Sequence, residues 1–80
     1  MYASASVSFS ISTRGAVTLE ILDLQGRRVR RLAHGMLEAG PHLLEWDGNG
    51  DDGTPVGSGV YFVRMEAEGR SLSHKLVRVR

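Results

Sequence analysis

WDGNGDDGTPVGSGVYFVRM, residues 46–65, joins the end of one apolar strand to the start of another through a glycine-rich polar loop. Just upstream, His42 to Trp46 sets Leu44 and Trp46 on one face of a pleated strand. Downstream, Val60 to Met65 carries β-branched and aromatic residues at both parities, the pattern of a strand covered on both faces and therefore central. Between them lie Gly48, Gly50, Gly53, Gly57, Gly59 and Pro55, which interrupt any helix and allow several sharp turns. Asp47 and the run Asp51-Asp52-Gly53 are placed to close such turns, because a short carboxylate accepts hydrogen bonds from amides two residues further on.

Outward from this stretch the chain continues as strands. Val7, Phe9 and Ile11 alternate with Ser6, Ser8, Ser10 and Ser12, and Val17, Leu19 and Ile21 alternate with Thr18, Glu20 and Leu22. The short Thr13-Arg14-Gly15 link between them predicts that these two strands share an antiparallel sheet. Asp23-Leu24-Gln25-Gly26 has Asp first and Gly last, a type I turn signature. Val29 and Leu32, three residues apart, cannot share a strand face without a bulge or a strand end between them, so an irregularity is expected there. Residues 34–40 are too short and glycine-bounded for a stable helix, but leave room for one helical turn around Leu37. Ala67-Glu68-Gly69-Arg70 reads as a hairpin turn into a last strand, Leu72 to Val79, in which either Leu72 and Leu76 or Val77 and Val79 face inward. About six or seven short strands with regular turn signals predict an all-β antiparallel sandwich over residues 7–80, with residues 1–6 a flexible lead-in.

The order W-D-G, D-D-G, P-V-x-S-G-V-Y-F and a closing K-L-V-R-V-R resembles the small immunoglobulin-like β-sandwich of flagellar hook-capping proteins and of the C-terminal sorting domains of type IX-secreted bacterial proteins. The segment Val17–Arg30 is similar to that family's strand-turn-strand "I-x-D-x-x-G-R-x-V", and Gly40 to Trp46 to its "x-A-G-x-H-x-x-x-W". The resemblance covers nearly all of residues 7–80. It implies a non-catalytic C-terminal sorting or attachment module, secreted or at the cell surface, whose partners are export or cell-surface machinery and an N-terminal parent domain. Gly59, Val60, Tyr61, Lys75 and Val77 are its implied sorting-motif residues, Lys75-Leu76-Val77 standing where sorting signals carry K-x-V. The alternative within the resemblance is a structural spacer, a flagellar assembly part or a carbohydrate-binding accessory module.

Composition narrows the chemistry independently. Eighty residues make one small domain, and the absence of cysteine removes both a disulfide framework and thiol catalysis. Ten basic and nine acidic residues leave a net charge of +1, too little to steer nucleic acid or a membrane surface. No apolar run approaches the length of a membrane span.

The motifs that invite sharper readings give way to plainer ones. Gly48-Asn49-Gly50-Asp51-Asp52-Gly53 spells the dinucleotide fingerprint, but two carboxylates would repel a pyrophosphate and Pro55 and Gly57 occupy the place of the helix. Asp47, Asn49, Asp51 and Asp52 begin like a calcium loop and are weak calcium candidates, yet an EF-hand's sixth and twelfth positions, Gly and Glu, are here Asp52 and Ser58. Arg27, Arg28, Arg30 and Arg31 lack the neighbouring aromatics that stack on bases, so they fit a solvated or edge strand. His34, His42 and His74 have no metal-ligand spacing, and no serine sits in a nucleophile elbow, so neither a cofactor nor a catalytic constellation is expected. Trp46 and Tyr61 fit a sugar-stacking pair, but in a chain with one Trp, two Tyr and two Phe they are assigned to the core.

Overall fold

The computed structural model describes residues 5–78. Its six strands are β1 (Ala5–Ile11), β2 (Gly15–Leu22), β3 (Arg28–Leu37), β4 (Gly40–Trp46), β5 (Gly59–Ala67) and β6 (Arg70–Arg78). All neighbours are antiparallel and form two sheets, β1-β4 and β3-β2-β5-β6. The all-β sandwich expected from the turn spacing is thus the observed architecture.

The core lies between the two layers. Leu19, Ile21, Trp46 and Val63 are its buried centre, with Val7, Phe9, Val29, Leu32, Leu44 and Tyr61 among the residues packed around them. Val7 and Phe9 face this core while Ser6, Ser8 and Ser10 face solvent, so the two-residue period of β1 is realised side chain by side chain. Trp46 is 1% exposed and meets the Tyr61 ring edge-on at 5.5 Å. This disposes of the sugar-stacking alternative, because a ring buried on both faces has none to offer a ligand.

Several expectations need correction. β1 does not pair with β2: Ser12 to Arg14 cross from one layer to the other, and β1 pairs with β4 in register Val7↔Leu44. The crossing keeps both strands' apolar faces turned inward, which a bent-over pair achieves as well as a flat hairpin. There is no helical turn around Leu37, because β3 runs unbroken through it, paired to β2 as far as Gly15↔Leu37. The strand that carries most of the core is β2, where Val17, Leu19, Ile21 and Leu22 are all buried, whereas β5, also interior to the sheet, buries only Val63 fully. Ala5 and Ser6, grouped with the lead-in by sequence, belong to β1, and the rest of that lead-in lies outside the described residues.

The irregularity at Val29 and Leu32 is two register shifts. Leu19 pairs with Ala33 and Glu20 with Arg31, so Leu32 is passed over; Ile21 pairs with Arg30 and Leu22 with Arg28, so Val29 is passed over. Both extra residues turn into the core, which is how side chains three apart reach one interior. In the last hairpin, Ala67 pairs with Arg70, leaving a two-residue loop in which Glu68 (φ 54°) and Gly69 (φ 72°) both adopt left-handed backbone, as a type I′ turn requires. The pairing of β6 resolves the open register: Leu76 packs on the core, and Val77 is 58% exposed.

Truncating the central ring tests this assignment. Trp46→Ala should lower stability by roughly 3 to 5 kcal/mol, a large part of what an 80-residue domain possesses. A chemical-denaturation midpoint close to that of the unmodified chain would show the ring to be dispensable.

Candidate functional site

Two polar constructions stand out, and they meet at β3. The first is the loop from Asp47 to Ser58. Asp47 Oδ1 accepts from the Asn49 amide at 3.0 Å, and Asp52 Oδ1 accepts from the Thr54 amide at 3.0 Å and its hydroxyl at 2.7 Å. The Thr54 hydroxyl above all, then its amide, holds the Asp52 carboxyl below the usual range. The backbone closes on itself through Gly50 N–H to Thr54 O, Gly53 N–H to Gly50 O and Val56 N–H to Gly48 O, each 2.9 Å. Trp46 Nε1 donates to the Asn49 carbonyl at 2.8 Å, so the core ring also pins the loop.

The loop is strapped to β3 where that strand bulges. The Asp51 amide donates to Val29 O, and the Arg31 amide donates to Asp51 Oδ1, both at 2.9 Å. Gly50 makes the approach possible, because a Cβ there would sit 3.3 Å from Val29 O. A bulge frees backbone groups from the ladder, and here the loop takes them up.

The second construction centres on Glu20. It projects from the outer face of the four-stranded sheet yet is only 6% exposed. Arg64 Nη2 donates to its Oε1 at 2.8 Å, while Arg31 Nη2 and Arg28 Nη1 stand 3.5 and 3.7 Å from Oε2. The register places them there: Glu20 pairs with Arg31 on β3 and with Arg64 on β5. The Arg64 hydrogen bond holds the carboxyl below its ordinary range, opposed by desolvation and helped by the charges of Arg64, Arg31 and Arg28. Arg28 Nε also reaches Asp51 Oδ2 at 3.1 Å, so the cluster and the loop form one network.

The calcium candidates are not assembled into a ligand set. Asp47 and Asp52 are turned to turn amides and Asp51 to Arg28 and Arg31, and among the described residues no three His, Cys, Asp or Glu side chains converge. The implied sorting residues are dispersed along two strands. Gly59 and Val60 open β5 opposite Arg78 and Val77, and Tyr61 donates its hydroxyl to Gly57 O at 2.7 Å. Lys75 is exposed opposite Phe62. What sequence reasoning missed is Glu20. Its alternation with Leu19 and Ile21 marked it as solvent-facing, and only the cross-strand register shows three arginines closing over it.

The two antiparallel sheets and the core between them define a small immunoglobulin-like β-sandwich. The chain belongs to the FlgD Ig-like domain family, which matches residues 3–71. It is 47% identical over 51 residues to the basal-body rod modification protein FlgD of Salmonella typhimurium, covering 64% of this chain and 22% of that protein, and equally to that of Salmonella typhi. The chain therefore spans about a fifth of the length of these relatives. The crystal structure of FlgD from P. aeruginosa aligns over 95% of this chain and 62% of its own with a TM-score of 0.67 at 20% identity, which bears on the fold alone.

These findings correct the expectation drawn from the wider resemblance. The C-terminal sorting or surface-attachment module of the type IX kind is replaced by the flagellar branch, to which both the family match and the curated relatives belong. The secreted or cell-surface location falls with it, since the relatives are named for the basal-body rod. The flagellar assembly part given as the alternative is the reading they favour.

Two measurements follow from the geometry. Glu20's lowered carboxyl contributes stability that is present above about pH 4.3, the unfolded glutamate range, and is lost as pH falls through its folded value. Glu20→Gln should cost roughly 1.5 to 3 kcal/mol at pH 7 and flatten the fall of melting temperature between pH 5 and pH 3; parallel curves for the two proteins would refute the role given to this carboxylate. Millimolar calcium should leave the melting temperature where it is, because a cation would have to displace turn amides and arginines; a rise reversed by chelator would refute this.

Proposed function

We propose that the chain is a non-catalytic structural module of a flagellar assembly protein, joined to a parent domain on the same polypeptide and held among neighbouring flagellar subunits. The observation that carries this reading is the family match over residues 3–71, supported by 47% identity to a basal-body rod modification protein. The side-chain chemistry is consistent with it. The Asp-rich loop and the Glu20 cluster bind parts of the domain to each other, so their carboxylates and guanidiniums serve rigidity rather than turnover. On this reading Asp47, Asn49, Asp51 and Asp52 are turn formers rather than ligands. Gly59, Val60, Tyr61, Lys75 and Val77 then serve the β5-β6 pairing.

A domain exchange tests the assignment. Residues 7–77 replace the matching segment of the Salmonella typhimurium relative in cells lacking that protein. Restored flagellar assembly and swimming are expected. A chimera that accumulates to normal levels but leaves cells without flagella would defeat the proposal.

A further inference from the structure

Asn49 is the single asparagine of the chain, and Gly50 follows it. That dipeptide carries a reaction of its own. The backbone nitrogen of the second residue, once it has lost its proton to solvent, can attack the side-chain Cγ of the first, and a glycine leaves that nitrogen uncrowded because it has no Cβ. The N–Cγ bond forms, the Cγ–Nδ2 bond breaks, and ammonia departs with a proton from water. Water then opens the five-membered imide at either carbonyl, giving aspartate or, with the main chain rerouted through the side chain, isoaspartate. The net change is hydrolysis of one amide, and nothing is oxidised or reduced.

The closed loop holds both reacting groups. Gly50 is buried, and its N–H donates to Thr54 O at 2.9 Å beside the bridge that pairs Asn49 with Pro55. Asn49 is fixed from two sides, its carbonyl accepting from Trp46 Nε1 at 2.8 Å and its Nδ2 donating to Asp47 Oδ2 at 3.3 Å. The Gly50 carbonyl accepts in turn from the Gly53 amide at 2.9 Å and from Arg30 Nη1 at 3.2 Å. The Asp51 carboxylate then ties the next residue to β3 through the Arg31 amide and Arg28. A buried, hydrogen-bonded amide yields its proton to solvent only when the segment around it opens. The attack on Asn49 waits for that opening.

We infer that Asn49-Gly50 is a spontaneous deamidation site masked by the closed loop, and that its reaction makes an opening of this loop irreversible. Both products fit the closed loop less well. Aspartate at position 49 gives up the Nδ2 donor and sets a second carboxylate against Asp47. Isoaspartate adds a carbon to the main chain, so the carbonyl that serves Trp46 Nε1 leaves the backbone and the Gly50 N–H shifts away from Thr54 O. The buried indole donor then loses its partner. The site follows from one dipeptide and the bonds around it and does not depend on the assembly role proposed above.

The test follows the 80-residue chain at mildly alkaline pH, folded and in guanidinium chloride, by amide hydrogen exchange and by mass mapping of tryptic residues 32–64, where Asn49 is the only side-chain amide. In denaturant Asn49 should deamidate as fast as a free Asn-Gly peptide. The folded chain should react at least about tenfold more slowly, by the factor that protects the Gly50 amide from exchange. Asp51→Ala, which removes the carboxylate tie to β3, should raise Gly50 exchange and Asn49 deamidation together. Chain aged in denaturant and returned to buffer should melt below fresh chain, with Asn49→Asp between the two. Equal rates in the folded and unfolded chain, or a folded rate that does not track Gly50 protection, would overturn the masking. An unfolded chain whose Asn49 stays intact removes the site itself, and aged chain that melts with fresh chain overturns the irreversibility. The folded-against-unfolded comparison decides the matter even where Asp51→Ala fails to fold.

Discussion

The buried indole of Trp46 ties the structure together. It closes β4, fills the space between Leu19, Ile21 and Val63, and meets Tyr61 on the facing sheet. Its single N–H would be costly to bury unpaired, and Asn49 O takes it at 2.8 Å. That one bond determines where the chain turns after β4, because Asn49 is already the residue that the Asp47 carboxylate caps. The hydrophobic layer and the polar loop are thus coupled through one side chain, apolar on its faces and a donor at its edge.

From there the constraint passes to β3. Two extra residues in that strand push Val29 and Leu32 into the core, and the ladder loses backbone partners at the same place. Asp51 restores them from outside, its amide donating to Val29 O and its carboxylate accepting from the Arg31 amide, and it also engages Arg28, which leans toward Glu20. A carboxylate as enclosed as Glu20 is tolerable only with its charge matched, and the register of β2 between β3 and β5 brings arginines from both sides. The same bulges that complete the core therefore anchor the loop and protect a sheet edge.

Much of this was legible in the sequence because it is local. The alternation of β1, the Asp23–Gly26 turn, with its Gly26 N–H to Asp23 O bond at 2.9 Å, the turn-closing aspartates and the Glu68-Gly69 hairpin each depend on residues within a few positions. The three-residue spacing of Val29 and Leu32 also announced an irregularity in this segment, though not that it would be two register shifts. The rest depends on pairing across the chain. Nothing within Ser12 to Arg14 distinguishes a hairpin from a crossing between layers, and nothing near Glu20 announces Arg64, forty-four positions away. Glycine-bounded residues 34–37 extend β3 because β2 offers them a ladder, a long-range reward that short-range propensity does not register.

The misassigned task has a physical origin in the last strand. Lys75-Leu76-Val77 matches a sorting signature, but an edge strand on a half-covered sheet produces the same letters for its own reasons. Leu76 must point inward to reach the core, and its neighbours then point outward, where a lysine deters edge-to-edge association. Gly59-Val60-Tyr61 behaves likewise, since Val60 and Tyr61 pair with Val77 and Leu76 and the Tyr61 hydroxyl closes on Gly57 O. Motifs that the fold requires recur wherever the fold is used, in sorting domains and flagellar proteins alike. Only identity spread over strands, loop and surface together separates one branch from another, and here it leads to the flagellar one.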